Sequence, residues 1–176
     1  MSPPTSGMDV YLAIASIRVV RSYTNDPISD AALNRILQAG RATGSSRNRQ
    51  PWIFYVIRNR ETLNGLAECV FAPDNLRGCQ LAIAVVITGK NSFDGGRVAQ
   101  NMVLAAWADG VGACPNSARD LEEVKRVLGI TDEVSIPTIL SFGHPAEPVR
   151  PKDRDPDAIL SRIDRKPLEE ITRFID

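Results

Sequence analysis

The chain contains a single histidine, His144, and three widely spaced cysteines, Cys69, Cys79 and Cys114. One histidine excludes a histidine-rich metal cage. No two cysteines stand at the close spacing that zinc requires, so no metal site is expected. An odd, scattered cysteine set fits a reducing compartment better than a disulfide framework. No unbroken apolar run exceeds seven residues, Leu81–Ile87 being one; a membrane span needs about 20. The N-terminus, MSPPTSGMDV, has no basic segment followed by an apolar one, so no secretory leader is expected. The expected home is the cytoplasm, with no membrane contact.

Lysine is absent before Lys90, and all nine cations of residues 1–88 are arginines. Between Ala31 and Arg60 there are six, Arg35, Arg41, Arg47, Arg49, Arg58 and Arg60, and no acid. The guanidinium fork suits phosphate and carboxylate. Any one of these arginines reads as part of a solvated face; the cluster leaves an anionic ligand open. A nucleic-acid module is a second reading. It is opposed by the fifteen acids of residues 89–176, and by Trp52, Phe54 and Tyr55 falling in an apolar strand rather than among basic residues. No nucleic-acid partner is expected.

At 176 residues the chain suits one domain with an ordinary core. Residues 1–8 read as a disordered tail. Asp9 can cap a helix from Val10 to about Ile17, with Val10, Ile14 and Ile17 on one face. Ser29 caps a second helix carrying Leu33, Ile36 and Leu37, with Ile28 and Leu33 as a staple, and Gly44 should end it near Thr43–Gly44. Ser45 to Pro51 is a polar loop and Trp52 to Ile57 a strand. A helix near Thr62–Val70 and a turn at Ala72–Asn75 lead to the strand Leu81–Thr88, apolar throughout as a strand covered on both faces should be. Asp94 to Asp109 is the longest helix, and Gly110 to Cys114 turns into a short strand. Ser117 or Asp120 opens a helix closed by Gly129, Ile136 to Phe142 is a strand, and Pro145 to Asp157 is an extended arm. A last helix starts at Pro167. Strands alternating with helices predict a sheet covered on both sides.

Several chemistries are absent. No G-x-G-x-x-G follows a strand, and neither a P-loop nor a G-x-S-x-G elbow occurs. A Cys–His or Ser–His pair would have to use His144, which sits in a Gly143-His144-Pro145 turn. No catalytic side chain is therefore singled out, and the chemistry must come from an organic cofactor. Two segments carry the right donors for one: Arg18-Val19-Val20-Arg21-Ser22-Tyr23, and Gly44-Ser45-Ser46-Arg47-Asn48-Arg49-Gln50-Pro51-Trp52. Their hydroxyls, amides and guanidiniums can bind a polar ring edge and a phosphate. Each segment alone is also an ordinary connection.

Together they resemble the FMN-dependent nitroreductase family, a short-chain member of which this would be. The resemblance continues through Gln100 to Ala106, Gly110 to Ala113, Ile136-Pro137, Gly143-His144-Pro145 and Arg165 to Glu170. It covers about Val10 to Ile171. It implies an α+β fold with a central mixed β-sheet flanked by helices, in an intertwined homodimer with FMN at each end of the interface. The domain would span residues 1–176, with residues 145–176 as a C-terminal arm. The resemblance also implies that Arg18, Val19 and Arg21 lie along the flavin, with Arg21 near its N1/O2 edge. Ser45, Ser46 and Asn48 would reach it from the other subunit, and Gln50 would join the cofactor-binding set. Pro115, Asn116 and Ser117 would lie by the isoalloxazine, and Arg165 would bind the phosphate. NAD(P)H would be the co-substrate, and a flat nitroaromatic, quinone or enone the acceptor, in a ping-pong scheme. The chain departs from the family pattern at Ile17, Val19 and Gly44. Arg18, Arg47 or Arg49 would then replace the lost polar contacts; the alternative is a family member that holds flavin weakly, or binds a deazaflavin, and lacks NAD(P)H reductase activity.

Overall fold

A computed structural model of the chain describes residues 8–89, 92–147 and 155–175. The predicted disordered tail, Met8 apart, lies outside the described residues, and so do residues 148–154 of the predicted arm. In chain order the elements are α1 (Val10–Ser16), α2 (Asp30–Arg41), β1 (Trp52–Ile57), α3 (Arg60–Ala67), α4 (Pro73–Gly78), β2 (Leu81–Thr88), α5 (Ser92–Ala108), β3 (Gly112–Asn116), α6 (Leu121–Leu128), β4 (Val134–Gly143), α7 (Pro156–Leu160) and α8 (Leu168–Ile171). A single turn of 3-10 helix, Ser46–Asn48, precedes β1. They fall into two compact units, one holding the described residues of 17–149, the other those of 1–16 and 150–176.

The larger unit is built on a four-stranded sheet in the order β1-β2-β4-β3. All three strand pairings are antiparallel. The expected mixed character comes down to one parallel bridge outside the named strands, Val19 to Ala113. β2 is central, and Leu81 to Ile87 are all buried. Its odd-numbered residues Leu81, Ile83, Val85 and Ile87 face Ile36 of α2 and Val98 and Met102 of α5. Its even-numbered Ala82, Ala84 and Val86 face Leu63 and Leu66 of α3, Leu76 of α4 and Val124 of α6. Each fully buried aliphatic side chain contributes about 1.5–3 kcal/mol relative to exposure. The alternation of large and small residues along β2 tells the two helical layers apart.

The register of β2 against β4 shifts by one residue between Val85 and Ile87. Such a bulge lets Ile136 and Ile139, three apart, face the same layer. Pro137, which has no N–H for a ladder, falls within the shifted stretch.

Capping follows side-chain chemistry. The Ser29 hydroxyl accepts from Ala32 N–H, Asn59 from Thr62 N–H and Asp120 from Glu123 N–H. α6 ends at Gly129 in the left-handed region, φ 66°. α2 does not reach the predicted stop at Gly44. It ends at Arg41 with Ala42 right-handed at the C-cap, and the Thr43 hydroxyl donates to the Ala39 carbonyl. A side chain rather than a glycine therefore satisfies the last turn. The helix predicted at 62–70 starts two residues earlier and ends at Ala67. The turn predicted at 72–75 is the start of α4, with Pro73 in its first turn.

In the smaller unit α1 packs against α7, whose Asp155 cap accepts from Asp157 N–H. α7 takes over at the last two residues of the predicted extended arm, Pro145 to Asp157; Pro156 begins that helix rather than breaking it. Asp9 caps α1 through its carboxylate as predicted. Val10 (70% exposed) and Ile14 (51%) are nonetheless uncovered, and the buried residues of α1 are Ala13, Ala15 and Ser16.

Candidate functional site

Residues 17–24 run along the free edge of β3. Val20 N–H donates to the Ala113 carbonyl at 3.0 Å. A Cβ on Gly112 would stand 2.6 Å from the Val20 side chain, and one on Gly143 would stand 2.7 Å from the Tyr23 ring. Two residues without side chains thus let this segment lie flat on the sheet. Thr24 N–H donates to the His144 carbonyl and Ala146 N–H to the Ser22 carbonyl, which fixes its far end. Arg18, Val19 and Arg21 are left exposed. Arg18 Nη1 donates to the Ile17 carbonyl at 2.8 Å, and the positive charge of Arg21 acts on the Cys114 thiol in the direction that favours its thiolate.

Behind this edge lies a buried polar network that no local sequence pattern reveals. Asn75 Nδ2, on α4, donates to Asn116 Oδ1 at 2.9 Å and contacts Cys114 Sγ at 3.3 Å. Asn116 Nδ2 reaches the Cys114 and Ile139 carbonyls, each at 2.9 Å, and Ser141 Oγ at 3.1 Å. Tyr23 Oη donates to the Val20 carbonyl at 2.6 Å and lies 3.0 Å from Ser141 Oγ. Burial holds the Tyr23 phenol well above its ordinary range. It pushes the Cys79 thiol up to about 11, and raises Cys114 against the opposing pull of Arg21. These groups stay neutral at physiological pH and fix the strand.

The Asn116 amide is thus fully committed to the protein, while Pro115 and Ser117 on either side are exposed. The Ser117 carbonyl accepts from Phe71 N–H.

The second segment is a stiff loop. Gln50 N–H donates to Ser45 Oγ at 2.8 Å, and Asn48 N–H to the Ser45 carbonyl at 3.0 Å. Arg97 Nη1 of α5 donates to the Gly44 carbonyl, and Asn101 Nδ2 to Thr43 Oγ1, both at 2.7 Å. At the other end Thr88 N–H donates to the Pro51 carbonyl. Arg47, Asn48 and Gln50 have φ of 54°, 53° and 48°. Left-handed backbone costs a non-glycine residue about 1–2 kcal/mol. Three such residues persist only where the surroundings enforce them, a condition found at binding sites. Ser46, Arg47, Asn48, Arg49 and Gln50 are all exposed.

The structure therefore lays the segment that holds Arg18, Val19 and Arg21 beside β3, which holds Pro115 and Asn116 with Ser117 just after it, and holds Ser45, Ser46, Asn48 and Gln50 as a separate group. The first lies on β3 and the second leads into β1, the two outer strands of the sheet. Three strand spacings separate those edges, about 14 Å. Arg165 belongs to the smaller unit, exposed, with Nη1 donating to the Asp164 carbonyl.

Fold and site define an α+β protein whose sheet edges carry exposed guanidinium, hydroxyl and amide donors. No group of three or more His, Cys, Asp or Glu able to hold a metal occurs among the described residues. The Nitroreductase family model matches residues 14–73 and 90–144. A relative from Methanothermobacter thermautotrophicus, provisionally named NADH dehydrogenase/NAD(P)H nitroreductase, is 31% identical over 88% of this chain and 87% of its own. One from Archaeoglobus fulgidus with the same provisional name is 29% identical over 74% and 82%. A provisionally named nitroreductase from Desulfovibrio desulfuricans, solved in complex with FMN, superposes with a TM-score of 0.80 at 27% identity, over 100% of this chain and 99% of its own. The chain belongs to the nitroreductase family, and with it to the oxidoreductases.

Proposed function

We propose that this chain works as a homodimer that binds FMN where the subunits meet. It would pass reducing equivalents from NADH or NADPH to flat electrophilic acceptors such as nitroaromatics, quinones and enones. The observation that carries this reading is the placement of the two signature segments on opposite edges of one sheet. One copy cannot close both edges around a single ring; two copies facing one another can. Leu168, Ile171, Phe174 and Ile175 on and after α8, with Val10, Tyr11 and Ile14 on α1, are large apolar side chains left exposed. Such surfaces suit a partner subunit.

The donor set suits the flavin nucleotide: guanidiniums for phosphate and for a ring edge that gains negative charge, hydroxyls and amides for ring carbonyls. When bound, FMN supplies the two-electron chemistry. Arg18 and Arg21 would flank it, and the Arg21 charge would stabilise the negative charge that the reduced ring gains. Val19 and Pro115 to Ser117 form the adjoining wall, kept flat by the Asn116 network. Ser45, Ser46, Asn48 and Gln50 come from the second copy, and Arg165 serves the phosphate. Donor and acceptor use the same open face in turn, a ping-pong scheme. The setting proposed is cytoplasmic; no described helix is long and apolar enough to cross a membrane.

The test is an absorbance spectrum of the purified protein before and after anaerobic NADPH, with sedimentation of the same sample. A yellow dimer bleached near 450 nm supports the reading. Protein that stays colourless after incubation with FMN and gel filtration overturns it.

A further inference from the structure

The acid-free arginine run resolves into two kinds of residue. Arg35 pairs with Asp109 at 2.6 Å and Arg58 with Asp30 at 3.0 Å. Arg41 Nε donates to Gln38 Oε1 at 2.6 Å, and Arg60 to the Arg77 and Cys79 carbonyls, both at 2.8 Å. These four are engaged with the protein's own acceptors. Arg47 and Arg49 are exposed and make no side-chain hydrogen bond or ion pair among the described residues. They stand two residues apart in the loop whose left-handed backbone is clamped by Ser45, Arg97 and the Pro51 carbonyl.

We infer that Arg47 and Arg49 form a subsite for a phosphate monoester dianion, carried by the flavin nucleotide or by the 2′-position of NADPH. The inference rests on the proposed function for the identity of these ligands. Two guanidiniums match a dianion in charge, and the guanidinium fork matches phosphate oxygens in geometry. The loop is already ordered by bonds to α5 and β2, so binding does not have to order it. Arg35 and Arg58 are neutralised by acids, and Arg41 and Arg60 are held by uncharged acceptors, which leaves Arg47 and Arg49 as the two guanidiniums of the run whose donors are not taken up among the described residues.

The experiment uses the full chain and compares Arg47→Ala/Arg49→Ala with Arg47→Lys/Arg49→Lys, and with Arg41→Ala as a control for surface charge. Three ligand pairs differ by one phosphate: FMN against riboflavin, NADPH against NADH, and 2′-AMP against adenosine, the last by calorimetry without turnover. The double alanine variant is expected to weaken one phosphorylated member about 10- to 100-fold, with its partner within twofold. Lysines should restore part of the loss, and Arg41→Ala should change neither. A change confined to FMN over riboflavin assigns the flavin phosphate; one confined to NADPH and 2′-AMP assigns the nicotinamide nucleotide. Equal shifts within every pair, or none, overturn the subsite. A wild-type chain that takes up neither flavin sinks the proposed function instead, and the 2′-AMP pair still decides for or against the subsite.

Discussion

Asn75 and Asn116, 41 residues apart, share one hydrogen bond in the core, Asn75 Nδ2 donating to Asn116 Oδ1 at 2.9 Å. It ties α4 to β3 at the height of Pro115 and Ser117. Replacing Asn116 with Ala leaves the Ile139 and Cys114 carbonyls and the Asn75 amide short of a partner in a dry interior. A buried unsatisfied group costs about 1–3 kcal/mol. Asn116→Ala should lower the urea midpoint accordingly. Asn75→Ala, which frees fewer groups, should cost less.

Gly112 and Gly143 should tolerate no side chain. A Cβ at either would meet Val20 or Tyr23 at under 3 Å, and both neighbours are anchored near the backbone. Gly112→Ala should push the 17–24 segment off β3, costing about 1–3 kcal/mol. Thermal unfolding and an FMN titration check this: flavin affinity should fall together with stability.

Ser45→Ala removes the acceptor for Gln50 N–H while leaving the rest of the loop bonds in place. The expected stability loss is small, about 1 kcal/mol. Because the left-handed residues are no longer clamped, flavin affinity should drop several-fold with the melting temperature nearly unchanged. A parallel loss of both would show that Ser45 only supports the fold.

Stability should decline in alkali. Cys79 has its thiol raised from 9.0 to about 11 by burial, so the folded chain keeps a proton that the unfolded chain releases. This contribution is complete below pH 9 and lost as pH climbs from 9 towards 11; Tyr23, also raised, extends the loss upward from 10. Two pH units correspond to about 2–3 kcal/mol. Urea midpoints should stay nearly level from pH 7 to 9 and fall by pH 10.5 for the wild type, and fall less for Cys79→Ala.

The strands were the most readable part of the chain. Trp52–Ile57 and Leu81–Thr88 have the predicted bounds because β-branched and aromatic runs leave no competing periodicity. Ser29 and Asp120 were readable as caps because their chemistry is local. Gly44 was misleading: it looks like a terminator, yet the Thr43 hydroxyl and Ala42 finish α2 first. Pro73 and Pro156 fit a turn or an arm, yet proline suits a first helical turn equally well, and both open helices. Strand order is set by pairing between distant segments, so no local pattern places the two site segments on opposite edges. The same holds for Asn75, whose partners lie some forty residues downstream.

The separation of the 17–24 segment from the 45–50 loop has a genetic consequence. If each cavity borrows one wall from either molecule, a chain defective only at Arg21 and another defective only at Ser45 and Asn48 are inactive alone. Mixed in one cell, they would assemble hybrids in which one cavity inherits both lesions and the other neither. Two null alleles would then complement, restoring up to half the turnover of each hybrid pair.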